Sequence, residues 1–369
     1  MNEIRLGDDL GPAKIIQVSE PRVGLNAVLV VDNVACGPSI GGLRMAPDVT
    51  IEECMRLARA MTLKNAAAGL AHGGGKSVLV GDPRVARAKK EALIRAFAHA
   101  LRNETDYIFG PDMGTDEACM AWVKDEIGRA VGLPAAFGGL PLDTLGATAW
   151  GLLHSAQAAA PFASVDLKGA RVVVQGFGAV GRHSARFLVE HGAKLVGASD
   201  STGTIVDPSG LDVTALERLK QQGRGVTDLK GAQKLDRDAV IGIECEIWIP
   251  AARPDVVHAD NVGRLRTRLV LQGANIPFTA EAEQALHERG VIVVPDFVAN
   301  AGGVICAAME YAGASRVVAF DAISERVREN TATVLAKAKA DGQLPRRAAQ
   351  ALAEARVREA MALRRFSIM

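Results

Sequence analysis

No apolar run reaches the roughly 18 residues of a membrane span, and the opening stretch, MNEIRLGDDLGPAK, lacks the apolar core of a signal peptide. Charge of one sign is missing too. Lysine and arginine number 43 against 42 aspartates and glutamates, a formal net charge of +1, so nothing global draws the chain to nucleic acid or an acidic surface. Cysteine is sparse. Cys36, Cys54, Cys119, Cys245 and Cys306 include no C-x-x-C pair. An odd, scattered set argues for reduced thiols in a cytoplasmic protein rather than a disulfide framework. The histidines form no H-x-x-x-H pair, and no metal is assigned. The tail arginines, among them Arg346, Arg356 and Arg364, are interleaved with alanines and glutamates and lack aromatic stacking partners. Solvated helix faces or subunit contacts explain them better than nucleic acid. What is left is a globular composition, 49% hydrophobic and 23% charged over 369 residues, long for one core and comfortable for two domains.

Residues 1–134 mix strands and helices. Ala27–Val31 is an apolar run suited to a buried strand. Thr50-Ile51-Glu52-Glu53 reads as a capping box opening a helix that carries Lys64 near its end. Gly69 and the run Gly73-Gly74-Gly75 are expected to break that helix, with a strand over Ser77–Val80. Gly132-Leu133-Pro134 and Gly138-Gly139-Leu140-Pro141 mark a crossing between domains, followed by a helix from about Thr144 to Ala159. Over 135–330, strand-like runs at Arg171–Gln175, Lys194–Ser199, Glu246–Ile249, Leu269–Leu271 and Val291–Val294 alternate with helical ones. That alternation predicts a parallel sheet with helices on both faces, an α/β fold. Residues 331–369 are helical, broken near Gly342 and Pro345. Having no strands, this tail must pack on something already built.

Val172-Val173-Val174 leads into Gly176-Phe177-Gly178-Ala179-Val180-Gly181, a G-x-G-x-x-G fingerprint. A helical pattern, a second strand and Asp200 follow, Asp200 lying 19 residues after Gly181. The fingerprint alone is weak; in this context each part has a task. Gly176 permits the tight turn. Gly178 lets a pyrophosphate approach the helix N-terminus, and Gly181 lets helix and strand pack closely. Asp200 can accept both ribose hydroxyls of NAD and disfavours a 2′-phosphate by repulsion. Ser201 and Thr202 can still hydrogen-bond one, so NADP stays open beside NAD.

The stretch MTLKNAAAGLAHGGGKSVLVGDP holds Lys64 and Lys76, and Asp112 stands in GPDMGT. A lysine can fix a substrate carboxylate or, if its pKa is lowered by burial and a second ammonium, act as a base. Lys64 and Lys76 flanking a glycine-rich turn provide such a pairing. Solvated lysines and an ordinary Gly-Pro-Asp turn are the plainer reading of the same residues. Lys76 resists it, because it sits between three glycines and an apolar strand.

Over nearly its whole length the chain resembles the glutamate/leucine/phenylalanine/valine dehydrogenase family. The resemblance is carried in order by GPSIGGLRM, MTLKNAAAGLAHGGGKSVLVGDP, GPDMGT, ATAWG, QGFGAVG, LQGAN and PDFVANAGGV. It implies an N-terminal catalytic domain, a Rossmann domain, and a C-terminal helical segment returning to the first domain. It further implies that Lys64 binds the substrate α-carboxylate, Lys76 activates water, and Asp112 passes protons to and from the substrate nitrogen. Thr148 and Asn275 would position nicotinamide and substrate, and Asn300 would lie in the cofactor-side loop. Glutamate-specific members have a lysine where this chain has Ile40 and a serine where it has Ala307. The resemblance therefore points to an apolar L-amino acid, with Gly110, Val304 and Ala307 among the pocket residues. Two alternatives remain at this point: a glutamate dehydrogenase with an altered pocket, and a nucleotide-binding regulator that has lost catalysis. A homo-oligomer is expected.

Overall fold

The computed structural model describes residues 7–369. Residues 1–6, which open both the expected 1–134 domain and the stretch without a signal-like core, lie outside the described residues. The chain divides into two compact units: Met1–Leu142 with Val304–Ala319 and Gln350–Met369, and Asp143–Gly303 with Phe320–Ala349.

The first unit is built on five strands, β1 (Lys14–Glu20), β2 (Leu25–Asn33), β3 (Ser39–Ala46), β4 (Gly73–Val80) and β5 (Tyr107–Pro111), in the order β1-β2-β4-β3-β5. β2 pairs antiparallel with both β1 and β4, whereas β3 is parallel to both β4 and β5. The helices are α1 (Ile51–Ala67), α2 (Arg87–Ala100) and α3 (Glu117–Ile127). Alternation along β2 sorts its side chains between two cores. Ala27, Leu29 and Val31 join Leu43, Leu79 and Phe109 against Ile94 and Phe97 of α2 and Met120 of α3. Val28 and Val30 join Val78 against Cys54 and Ala58 of α1. A strand covered on both faces needs an unbroken apolar run, the pattern seen at Ala27–Val31. Each large side chain so buried contributes about 1.5–3 kcal/mol.

Two local expectations are corrected here. Gly73, Gly74 and Gly75 do not form a turn; they open β4. They are glycines because neighbouring backbone crosses them. A Cβ on Gly74 would lie 1.9 Å from the Thr62 nitrogen of α1, and one on Gly73 1.9 Å from the Asn33 carbonyl oxygen. The helix end is instead marked by Gly69, at φ 69°. The capping box is half present. Thr50 accepts the Glu53 N–H at 3.1 Å, while the Glu53 carboxylate turns away to Arg44.

The second unit contains α4 (Leu142–Leu145), α5 (Ala147–Ala159), β6 (Arg171–Gln175), α6 (Ala179–Glu190), β7 (Lys194–Asp200), β8 (Gly203–Val206), α7 (Val213–Gln221), β9 (Gln233–Leu235), β10 (Ile247–Pro250), α8 (Ala259–Val262), β11 (Leu269–Leu271), α9 (Ala280–Glu288), β12 (Ile292–Val294) and α10 (Asp296–Ala299). Its sheet runs β12-β11-β10-β6-β7-β8-β9. The five strands foreseen from sequence are parallel, and β8 and β9 extend the edge antiparallel. The single helix expected over Thr144–Ala159 is split into α4 and α5 by Gly146, at φ 75°, where a Cβ would meet the His183 ring at 2.8 Å.

α11 (Gly302–Tyr311), α12 (Arg316–Asp341) and α13 (Pro345–Ala362) complete the chain. Of the tail expected over 331–369, Gln350–Met369 groups with the first unit, where Ala353 and Val357 of α13 share a core with Leu10 and Ala66, whereas the part up to Ala349 groups with the second. No described helix is long and apolar enough to cross a membrane. All five cysteines are free thiols. Burial pushes Cys119 up to about 11 and Cys54, Cys245 and Cys306 up to about 12.

Candidate active site

Lys76 has the strand parity of Val78, whose side chain packs under α1, so Lys76 projects from the α1 side of the sheet. It is 6% exposed. Lys64 lies in the last turn of α1. That turn is held to β4 by Asn65, whose Nδ2 donates to the Gly73 carbonyl at 2.7 Å.

Strand register brings Asp112 to the same place. Gly42 of β3 pairs with Gly110 of β5. A Cβ on Gly42 would lie 2.7 Å from Asp112 Cβ and 3.1 Å from Lys76 Nζ. Lys76 Nζ stands 2.7 Å from Asp112 Oδ2, and Arg44 Nε donates to that same oxygen at 3.0 Å. The group touching Lys76 is therefore a carboxylate, and Arg44 is a second cation on it. The other end of Arg44 binds Glu53 Oε1 at 2.5 Å. Burial alone would raise the Asp112 pKa. The charge and hydrogen bond of Lys76 and the charge of Arg44 outweigh it and hold the carboxyl below its usual range. The Asp112 N–H donates to Thr115 Oγ1 at 3.0 Å, and that hydroxyl donates to the Leu43 carbonyl at 2.8 Å. The Gly-Pro-Asp turn thus fixes the carboxylate's position; turn chemistry and site are one feature.

Around the pair the floor is bare. Ile40, Gly42 and Arg44 share one face of β3 by alternation, and Ile40 is 4% exposed. Beside Gly110 a Cβ would find only ordinary contacts, at 3.6 Å to Val131 and 3.7 Å to the Gly41 oxygen. Val304, Ala307 and Tyr311 fall on one face of α11 by spacing. The Tyr311 ring meets His72 edge-on at 6.1 Å, and His72 Nδ1 is 2.9 Å from the Pro38 oxygen. That helix end therefore abuts the segments leading into β3 and β4. Sequence reasoning missed Arg44 and also Glu310. The Glu310 carboxylate accepts the N–H groups of Leu133 and Leu140 at 3.0 and 2.9 Å, and burial raises its pKa. A lone acid in an otherwise apolar helix was the available signal for Glu310. Arg44 had none beyond its place in GPSIGGLRM.

In the second unit a cavity of about 650 Å³ is lined by Gly176, Phe177, Gly178, Asp200, Ser201 and Lys220, among others. It fits a dinucleotide. Gly178 caps α6 with no side-chain hydrogen bond, which leaves the first-turn N–H groups for a phosphate. Nothing would stand within 4 Å of a Cβ on Gly178, Gly176 turns at φ 93°, and a Cβ on Gly181 would lie 1.9 Å from the Gly176 oxygen. Ala179 and Val180 follow in that first turn. Asn300 Nδ2 donates to Asn275 Oδ1 at 3.0 Å and to the Gly273 oxygen at 3.3 Å. The next residue, Ile276, holds φ 47°, its N–H bound to Asp296 Oδ2 at 2.9 Å. Thr148 lies in the first turn of α5, its Oγ1 3.0 Å from where a Cβ on Gly303 would stand.

Comparison with known proteins assigns the class, that of the amino-acid dehydrogenases. Residues 138–365 match the Glutamate/Leucine/Phenylalanine/Valine dehydrogenase family model, and residues 12–129 match the Glu/Leu/Phe/Val dehydrogenase, dimerisation domain model. The chain belongs to this family, whose members use nicotinamide cofactors. It is 39% identical to an NADP(+)-dependent glutamate dehydrogenase of Pyrobaculum calidifontis, over 81% of this chain and 77% of that one. It is 34% identical to a glutamate dehydrogenase of Aeropyrum pernix, over 90% and 85%. Among solved structures, a hetero-hexameric glutamate dehydrogenase from Thermus thermophilus in a leucine-bound form superposes with TM-score 0.84 at 31% identity, covering 95% of this chain and 90% of that one. An L-tryptophan dehydrogenase from Nostoc punctiforme shares the fold, with TM-score 0.76 at 24% identity over 95% and 97%.

Proposed function

We propose that the protein catalyses reversible oxidative deamination of an apolar L-amino acid, of leucine, valine or phenylalanine type, to its 2-oxo acid and ammonia. The observation that carries this reading is the buried Lys76–Asp112 contact at 2.7 Å with the apolar Ile40 on the neighbouring strand face. A bound nicotinamide would supply the hydride acceptor, or donor in reverse, for the substrate Cα. Lys64 pairs with the α-carboxylate. Lys76 takes a proton from the water that adds to the oxidised carbon. Asp112, its Oδ2 held by Lys76 and Arg44, serves the substrate nitrogen from Oδ1, giving and taking the protons that release ammonia. On the cofactor side, Gly176, Gly178 and the start of α6 would hold the pyrophosphate, and Thr148, Asn275 and Asn300 would serve the nicotinamide.

The apolar preference rests on Ile40 and Ala307. Neither side chain offers a charge to a glutamate γ-carboxylate, and a buried unpaired carboxylate is costly. The second reading, a glutamate dehydrogenase with an altered pocket, is favoured by the names of the curated relatives. Following NADH and NADPH oxidation with ammonia and 2-oxoglutarate, 4-methyl-2-oxopentanoate or phenylpyruvate separates the two. Ile40→Lys is expected to raise kcat/KM for 2-oxoglutarate about tenfold or more relative to the apolar 2-oxo acids. No relative gain would remove Ile40 from the side-chain pocket.

Arg44 supplies a pH test. Asp112 must be ionised, and its depressed pKa keeps it so until the pH falls through that value. Arg44→Met withdraws one of the two cations on Oδ2, so the pKa rises. The acid limb of kcat/KM that reports Asp112 is expected to move up by about one pH unit, with Arg44→Lys intermediate. An unmoved limb would show that Arg44 does not act on this carboxylate.

We place the protein in the cytoplasm on its five free thiols. We also propose a homo-oligomer, supported by the match of residues 12–129 to a dimerisation-domain model.

A further inference from the structure

A carboxylate ending the second strand of a dinucleotide fold ordinarily has two effects. It accepts the ribose hydroxyls of NAD, and its charge repels the 2′-phosphate of NADP. Asp200 occupies that position, yet its oxygens are already engaged. Oδ1 accepts the Thr202 N–H at 2.8 Å and the Thr202 hydroxyl at 2.6 Å. Oδ2 accepts Lys220 Nζ at 2.8 Å and the Val226 N–H at 3.0 Å. The Asp200 side chain is only 7% exposed, and that of Lys220 25%. The charge expected to exclude NADP is thus paired at short range, with little water between the partners to screen them.

The same cavity carries further cations able to meet a 2′-phosphate, beside the carboxylates of Asp238 and Asp255. Ser201, Arg237 and Arg264 line it with Lys220. Arg237 meets Asp238 only at 3.5 Å, with both side chains more than half exposed, so its guanidinium can turn to an anion at small cost. Arg264 Nη2 donates to the Asp238 carbonyl at 3.0 Å, which holds its charge beside the cavity.

We infer that Lys220 sets the cofactor range of this protein: by neutralising Asp200 it lets the cavity accept NADP as well as NAD. Asp200 then acts as an anchor for the β7–β8 turn and for α7 rather than as a free ribose acceptor. The inference deepens the dinucleotide reading of the cavity and is independent of which amino acid is the substrate.

Titrating NADH and NADPH fluorescence against the full chain, with no amino acid present, tests it. Wild type is expected to bind both within about tenfold of each other. Lys220→Met bares the Asp200 charge, and the ratio of NADPH to NADH affinity is expected to fall about tenfold or more, the size of a partly screened charge at short range. Lys220→Arg keeps the charge and should keep the ratio. The double variant Lys220→Met/Asp200→Asn removes both charges, leaves no buried carboxylate to unsettle the fold, and should restore the ratio. Wild type that binds NADH but not NADPH overturns the inference alone, whereas binding of neither overturns the dinucleotide reading beneath it. An unchanged ratio in Lys220→Met, or a double variant that stays low, overturns the neutralising role of Lys220.

Discussion

Lys76→Ala is expected to lower turnover by about 10²–10⁴-fold, the usual contribution of a positioned acid–base group, while NADH still binds. The geometry separates the two readouts. The Lys76 amine is almost fully buried and touches Asp112 at 2.7 Å. The dinucleotide cavity is built from residues of the second unit, such as Gly176, Gly178 and Asp200. Truncation need not unfold the first unit. Asp112 keeps Arg44 at 3.0 Å, so no carboxylate is stranded without a partner. Lys76→Arg should not rescue, because a guanidinium stays charged at any working pH and cannot take a proton from water. Reductive amination assays together with NADH titration check this. Retention of a tenth or more of the wild-type rate would take Lys76 out of the chemistry.

The second large effect is expected from the smallest change. Gly42→Ala places a Cβ 2.7 Å from Asp112 Cβ and 3.1 Å from both Lys76 Nζ and the Pro111 oxygen. The amine can swing aside. Asp112 Cβ cannot, because it is tied to a backbone pinned through Thr115 to Leu43. The acid–base pair must then separate or β5 must shift. A misplacement on the order of 1 Å costs about 10²-fold in rate, and overpacking costs about 1–3 kcal/mol of stability. Gly110→Ala is the informative companion, since its Cβ meets only ordinary contacts. It should spare the pair and alter which 2-oxo acid is preferred. Measuring kcat/KM and Tm for both variants decides it; a Gly42→Ala enzyme as fast as wild type would end the argument that this strand must be bare.

The contrast between Gly42 and Gly73–Gly75 shows what the sequence could reveal. Ala27–Val31 and Val172–Val174 were legible as strands because burial on both faces demands uninterrupted apolar residues. The N-cap at Thr50 and the turn at Gly176 were legible because each follows from local backbone chemistry. β3 and β5 were not, since glycines and a proline take the places where alternating apolar residues would announce a strand. For the same reason Gly73–Gly75 read as a turn. Local rules cannot distinguish a glycine that bends the chain from one that lets Thr62 pass across it. Lys76 and Asp112 were singled out through motifs. Arg44 and Lys220 were not, because their importance lies in sharing a carboxylate with a residue or a ligand distant in sequence, and only register and tertiary contact bring such partners together.

The thiols carry a practical consequence. A thiolate is the form that reacts with alkylating agents and peroxides. With Cys119 near 11 and Cys54, Cys245 and Cys306 near 12, no more than about one in ten thousand of these groups is deprotonated at neutral pH. Long storage in air, without added reductant, should therefore leave those four sulfurs chemically unmarked.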